Sequence, residues 1–246
     1  MSIETRLQEV QERISRASSE SGRQFTEITL VAVTKTWPAE VVVSGYQIGL
    51  RDFGENRIEE LAQKKRIIEE MMPASEIIWH QIGGLQSRKS SLAADYADVF
   101  HALDRRKISQ RLSRRIIENG RADFDPLPVF LEVNVSGEAS KAGLDCTNWQ
   151  NDSSKRDDLL AVAQEVENLP GLKPQGLMTM APWKVEESII RDVFEQTRRL
   201  SEWLQSAAPD SEWSKLSMGM TDDYEIAIEE GATHVRIGRA IFGKRR

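Results

Sequence analysis

The sequence predicts a single (β/α)8 barrel of the α/β class over residues 1–246, with an extra helix at its N-terminal side. Three observations carry this expectation. Eight short apolar or β-branched runs read as strands. Amphipathic helical patterns alternate with them at roughly 25 to 30 residues per unit, the rhythm of βα repeats. A length of 246 residues is long for an ordinary domain but normal for such a barrel, and no internal boundary is visible. A doubly wound open sheet is the alternative, but no G-x-G-x-x-G turn follows the first strand.

Ile3, Leu7, Val10, Ile14 and Ala17 recur at spacings of three and four and predict an opening helix, with Gly22 placed to end it. Ile28 to Lys35 is the first strand, apolar as a strand covered on both faces should be. Pro38 suits the first turn of the helix that carries Val41, Val42 and Tyr46. Asp52-Phe53-Gly54 is the second strand, and Asn56 with Glu59 forms a capping-box pattern for the next helix. Ile77–Gly83 and Val99–Leu103 follow, the latter leading into a helix with Asp104 as expected cap and Ile108, Leu112 and Ile116 as its buried face. The fifth strand is Pro128–Val135. From Ser140 to Asp158 the chain is polar and loop-like, and a helix is expected to resume at Leu159 and stop at Pro170-Gly171. Gly176–Pro182 is the sixth strand, followed by a helix with Ile189, Ile190, Val193, Phe194, Leu200 and Leu204 on one face. Trp213–Ser217 is the seventh, with Thr221 as expected cap of the next helix, and Thr233–Gly238 is the eighth.

Composition narrows the function classes. Apolar residues make up 39% and charged residues 29%, which describes a soluble globular protein with ample core. A net charge of -6 argues against a nucleic-acid or anionic-membrane surface. The one cysteine, Cys146, allows no internal disulfide framework and fits a reducing compartment. No run approaches the ~20 apolar residues of a membrane span, and the polar, helical opening shows no signal-peptide pattern. A cytoplasmic protein is expected.

Barrel enzymes keep their chemistry at the C-terminal ends of the strands. Lys35 ends the first strand, where desolvation lowers an amine's pKa and allows a Schiff base with an aldehyde. Ser217-Met218-Gly219 and Gly238-Arg239 follow the seventh and eighth strands, where small residues let backbone N–H groups approach an anion and where barrel phosphate sites recur. Two-residue alternation sets Arg236 opposite Val235 and Ile237, so it points into the barrel if those two pack outward. A buried arginine keeps its charge and needs a partner. Schiff-base lysine, phosphate cradle and inward arginine together describe a pyridoxal phosphate site. Three scattered histidines and one cysteine offer no metal-ligand spacing. Each feature also has a bland reading: Lys35 as a snorkelling strand end, Asn56 as a cap, His80 as a hydrogen-bonded core residue, and Met178 and Met180 as filler.

The motifs Ala32-Val-Thr-Lys35, Phe53-Gly-Glu-Asn56, Trp79-His-Gln-Ile-Gly83 with Leu85-Gln-Ser87, and Val133-Asn-Val135 resemble the pyridoxal phosphate homeostasis protein family. So do Lys141-Ala-Gly-Leu144, Gly176-Leu-Met178, Leu216-Ser-Met-Gly-Met220, and Val235-Arg-Ile-Gly238 with Ile241-Phe-Gly243. The match is in register along the whole chain and is specific jointly rather than motif by motif. The family is similar to the barrel domain of alanine racemase standing alone. The resemblance implies that Lys35 holds pyridoxal 5'-phosphate as an internal aldimine, that Asn56 lies beside the cofactor, and that Arg236 faces the pyridine nitrogen. It implies phosphate contacts from Ser217 and from the backbone around Gly219, Gly238 and Arg239. The sequence departs from the family pattern at Gly84 and Arg239, and its polar stretch 148–158 is long.

Three functions remain in play. A cationic Arg236 beside the ring nitrogen disfavours its protonation and weakens the electron sink, which suits holding and release more than turnover. Racemisation needs acid–base groups on both faces of the substrate carbon, and Tyr46, Tyr96 and Tyr224 fall at no strand end beside the set above. The expectation is a pyridoxal phosphate carrier in cofactor homeostasis, with PLP-dependent apoenzymes as recipients and a monomer or weak dimer as its state. A weak amino-acid racemase is the alternative, and a cofactor-free Schiff-base aldolase a third reading.

Overall fold

The computed structural model describes residues 1–138 and 141–244. Eight parallel strands close into a barrel: β1 (Thr29–Val33), β2 (Asp52–Glu55), β3 (Ile78–Gln81), β4 (Val99–Leu103), β5 (Leu127–Asn134), β7 (Leu172–Met178), β8 (Lys215–Met220) and β9 (His234–Ile237). Pairing runs in chain order from β1 to β5, then β5 to β7, β8 and β9, and β9 returns to β1 with Leu30 opposite Val235. Both the β4–β5 and β9–β1 pairings exist, so the open-sheet alternative is excluded. An unexpected two-residue strand, β6 (Leu144–Asp145), pairs with the end of β5 outside the barrel.

The outer layer is α2 (Ala39–Gln47), α3 (Ile58–Met71), α4 (Ser90–Tyr96), α5 (Arg106–Glu118), α6 (Ser153–Glu167), α7 (Glu187–Ala207), α8 (Tyr224–Glu229) and α9 (Arg239–Phe242). Before them comes α1 (Ile3–Glu20), capped by the Ser2 hydroxyl accepting from the Thr5 N–H. It buries Leu7, Val10, Ile14 and Ala17, as the periodicity requires, against α8 and α9. Because α9 is a single turn, α1 covers the flank that a longer eighth helix would cover.

Several local expectations are corrected. Asn56 does not cap α3; Arg57 holds that position and no side chain bonds there. Asp104 does not cap α5, whose cap residue is Arg105. Asp223, not Thr221, precedes α8, and its carboxylate accepts from the Met220 N–H at 2.5 Å to close the turn. The helix expected from Leu159 begins at Ser153, with Asp152 accepting from the Ser154 N–H at 2.9 Å. Half of the polar stretch 148–158 is therefore the solvated first turns of α6; Ser140, the expected start of the longer loop-like stretch to Asp158, lies outside the described residues. The strand expected over Gly176–Pro182 begins earlier and ends at Met178, and that expected over Trp213–Ser217 runs on to Met220.

Candidate functional site

Alternation along β1 places Val31, Val33 and then Lys35 on one side and Ala32 and Thr34 on the other. Val33 and Lys35 line a cavity of about 270 Å³ at the C-terminal end of the barrel, while Thr34 faces α3. Lys35 is half-buried there.

A buried network clamps both neighbours of Lys35. Lys64, on the barrel-facing side of α3, donates to Glu55 Oε1 at 2.6 Å, to Glu60 Oε1 at 2.8 Å and to the Thr34 carbonyl at 2.8 Å. Thr34 Oγ1 donates to Glu55 Oε1 at 2.7 Å, and the Thr36 N–H donates to Glu60 Oε1 at 2.5 Å. Burial pushes the Glu55 carboxyl up to about 7 against the opposing pull of Lys64. Thr36 sits at φ 68°, a left-handed conformation that costs a β-branched residue free energy. The bond to Glu60 offsets that cost, so the turn after Lys35 is held rather than relaxed.

On the neighbouring strand β9 stands Arg236, 4% exposed and pointing inward as the alternation requires. Its Nη1 donates to the Ser217 carbonyl at 2.6 Å and to Ser217 Oγ at 2.8 Å, and Nη2 to the Thr179 carbonyl at 3.0 Å. A guanidinium has five N–H groups. Among the described residues, Nε–H and one Nη2–H make no further bond, and no carboxylate reaches ion-pair distance of the group. Burial lowers Arg236 to about 10, with Asp223 and Glu132 pulling it back from farther off.

The rest of the lining comes from the loops. Asn56 is exposed at the rim, and its backbone carbonyl is approached so closely by Gly83 that a Cβ there would lie 2.3 Å away. That contact requires glycine at 83. Met180, Trp183, Thr221, Asp222, Asp223, Gly238 and Arg239 complete the mouth. Arg239 pairs with Asp222 across it. A Cβ at Gly84 would meet nothing within 4 Å, so that departure creates no packing problem.

Of the residues picked from sequence, Lys35, Asn56, Arg236, Gly238 and Arg239 therefore share one cavity. Ser217 and Gly219 do not line it. The Ser217 hydroxyl is fully buried beneath Arg236 and bonded to His101 Nδ1 at 2.7 Å, which places it below the cavity mouth. Gly219, at φ 91°, makes room for α8, since a Cβ would lie 2.6 Å from that of Ala227. Sequence reasoning missed Thr221 and Asp223 as lining, and missed the Lys64 clamp. Lys64 stands three residues after Leu61 and four before Ile68, a lysine in an apolar stripe, and that was the available signal. An amine, a guanidinium with unused donors and the glycine-bearing loop end after β9 suit an anionic carbonyl compound with an acceptor nitrogen.

A closed parallel barrel with a lysine at the end of its first strand and an inward arginine on its last defines a class, and comparison with known proteins gives it a family. The model of the alanine racemase N-terminal domain matches residues 6–246. The chain belongs to that family and, within it, to the pyridoxal phosphate homeostasis proteins. It is 37% identical to the Pasteurella multocida pyridoxal phosphate homeostasis protein over 246 residues, covering 100% of this chain and 98% of the relative. The Pseudomonas aeruginosa protein of the same name is 40% identical over 243 residues, covering 99% and 96%. PipY of Synechococcus elongatus, in a structure with PLP bound, superposes with a TM-score of 0.78 at 31% identity, covering 94% of this chain and 100% of PipY.

Proposed function

We propose that this chain is one pyridoxal phosphate-binding barrel domain over residues 1–246 that holds the cofactor on Lys35 and takes part in its homeostasis by storage and delivery. The observation that carries the reading is the pairing of Lys35 with Arg236 in one cavity, the arginine buried, pinned from below and left with unused donors. In this reading Lys35 holds the cofactor covalently. Asn56 lies beside it, and Arg236 donates to the pyridine nitrogen without surrendering a proton. Thr221, Gly238 and Arg239 receive the phosphate, Ser217 supports Arg236 from beneath, and Gly219 lets α8 approach. When bound, the cofactor supplies an electrophilic imine carbon.

The relatives' names and the PLP-bound PipY support the cofactor assignment. Exposed Trp183 and Asn56 at the rim leave the cavity open, which suits release to PLP-dependent apoenzymes. The racemase alternative needs a second acid–base group over the bound carbon, and no tyrosine is among the lining residues described. No helix among the described residues is long and apolar enough to cross a membrane. A cytoplasmic monomer or weak dimer is the proposed state.

The test is the visible absorption of purified protein incubated with pyridoxal phosphate, wild type beside Lys35→Ala, followed by borohydride reduction and peptide mapping. A yellow wild type whose reduced adduct maps to Lys35, and a colourless variant, are expected. A colourless wild type would overturn the assignment. Appreciable racemisation of amino acids by the loaded protein would move the reading to the racemase alternative.

A further inference from the structure

All three histidines of the chain meet inside the barrel. Their rings lie 5.1 Å (His80–His101) and 5.8 Å (His101–His234) apart, and His101 stacks on Phe130 at 4.6 Å. Two of them complete an unbroken hydrogen-bonded chain. Arg236 Nη1 reaches Ser217 Oγ at 2.8 Å, Ser217 Oγ reaches His101 Nδ1 at 2.7 Å, and His101 Nε2 reaches His80 Nδ1 at 2.8 Å. His80 Nε2 then reaches Asp52 Oδ1 at 2.9 Å. Asp52 opens β2 at the barrel floor and is partly solvated, so the chain runs from floor to mouth.

The direction of this chain follows from its upper end. A guanidinium donates and cannot accept. Ser217 Oγ must therefore accept from Arg236, and its one proton goes to the only other partner it has among the described residues, His101 Nδ1. That leaves His101 with its proton on Nε2, donated to His80 Nδ1, and His80 with its proton on Nε2, donated to the Asp52 carboxylate. The reverse polarity would leave the buried Ser217 O–H with no acceptor, and a buried donor without a partner is destabilising. Burial and the neighbouring cations and imidazoles push His101 well below its ordinary value, in keeping with a neutral ring.

We infer that Ser217, His101, His80 and Asp52 are positioning residues: a one-way chain that pins Arg236 from below, so that its unused N–H groups are presented to the cavity in one orientation. The inference rests on the proposed function for the identity of what Arg236 meets, but not for the chain itself. The residues touch no ligand; they act through Arg236. Tethering both protons of Nη1, one on the serine carbonyl and one on its hydroxyl, fixes the guanidinium plane. The chain also couples the floor carboxylate to the mouth through four hydrogen bonds.

The experiment has two readouts. In cofactor-free protein, nitrogen-15 NMR of labelled histidine and arginine should show His101 and His80 both neutral and protonated on Nε2, with a slowly exchanging Arg236 side-chain signal. Ser217→Ala should shift the His101 Nδ1 resonance and speed Arg236 exchange at least tenfold. Asp52→Ala should disturb the His80 tautomer, while Asp52→Asn, which still presents an acceptor oxygen, should keep it. In titrations with pyridoxal phosphate, Ser217→Ala should raise the dissociation constant about tenfold and move the absorption maximum of the bound cofactor, with Asp52→Ala smaller in the same direction and Asp52→Asn close to wild type. A His101 proton on Nδ1, or Ser217→Ala with unchanged arginine exchange, would overturn the chain. Correct tautomers with unchanged affinity and spectrum in folded Ser217→Ala and Asp52→Ala would overturn the positioning role. Failure of the wild type to bind pyridoxal phosphate would instead refute the functional reading, with the chain still judged on the cofactor-free spectra.

Discussion

Glu132 offers a direct test of the electrostatics inside the barrel. It sits on β5 with 3% of its surface exposed, and its Oε2 finds no hydrogen-bond donor among the described residues. Burial, with the nearby Asp104 carboxylate, pushes it up from 4.5 to about 7, while Arg236 and Arg105 pull more weakly the other way. A carboxyl whose pKa is raised on folding binds its proton more tightly in the native state. Its contribution to stability is therefore present at low pH and is lost as the pH climbs from the unfolded value through the folded one. At about 1.4 kcal/mol per pH unit, the ionised form costs about 3 kcal/mol by pH 8. Glu132→Gln keeps the shape and removes the titration. Urea unfolding of cofactor-free wild type and variant at pH 5 and pH 8 should show the stability difference moving in the variant's favour by about 2–3 kcal/mol between the two. Titrating groups remote from Glu132 cancel in that difference, and the neighbouring Asp104 adds to it in the same direction. A gap that does not change with pH would mean that Glu132 is already charged and solvated or paired in the native protein, and would refute the reasoning.

The Lys64 clamp and Cys146 give two further expectations. Lys64→Met leaves Glu55 buried without its cation and should cost about 3–5 kcal/mol in chemical denaturation, while Lys64→Met combined with Glu55→Leu should recover much of that loss. If the single variant unfolds like wild type, the network does not hold the Lys35 turn. Cys146 is buried and its thiol is pushed up to about 12 by burial and nearby carboxylates, so it should resist maleimide at pH 8 in native protein and react fully in urea. Rapid native labelling would show that the β6 edge opens.

Most of the fold was legible because period carries burial: the two-residue alternation of the strands and the three-and-four spacing of α1, α5 and α7 are direct records of what each residue packs against. The failures lie where polar residues were given local roles that tertiary partners override. Asp104, Asn56 and Thr221 look like caps in isolation, yet Asp104 sits next to Arg105 and Glu132, and Asn56 and Thr221 line the cavity. The start of α6 was invisible to hydropathy because Ser153 to Asp158 face solvent, and only Asp152 signalled it. At the site, Lys35 and Arg236 were readable from strand position alone. Ser217 was placed by resemblance at the phosphate, whereas two-residue register sets it one layer deeper. His234 was readable and overlooked, since the alternation that turns Arg236 inward turns it inward too.

The pairing of β9 with both β1 and β8, and the cover of that flank by α1, bears on how the chain is made. During synthesis the first helix leaves the ribosome with nothing to lie on, and β1 waits with one bare edge while some 200 residues follow. Only when His234 to Ile237 emerge can the ring shut, and the same short strand delivers Arg236 to Lys35. The nascent protein therefore carries its lysine through the synthesis of some 200 residues without the arginine that completes the pocket, so competence to hold a ligand arrives with closure of the barrel and not before.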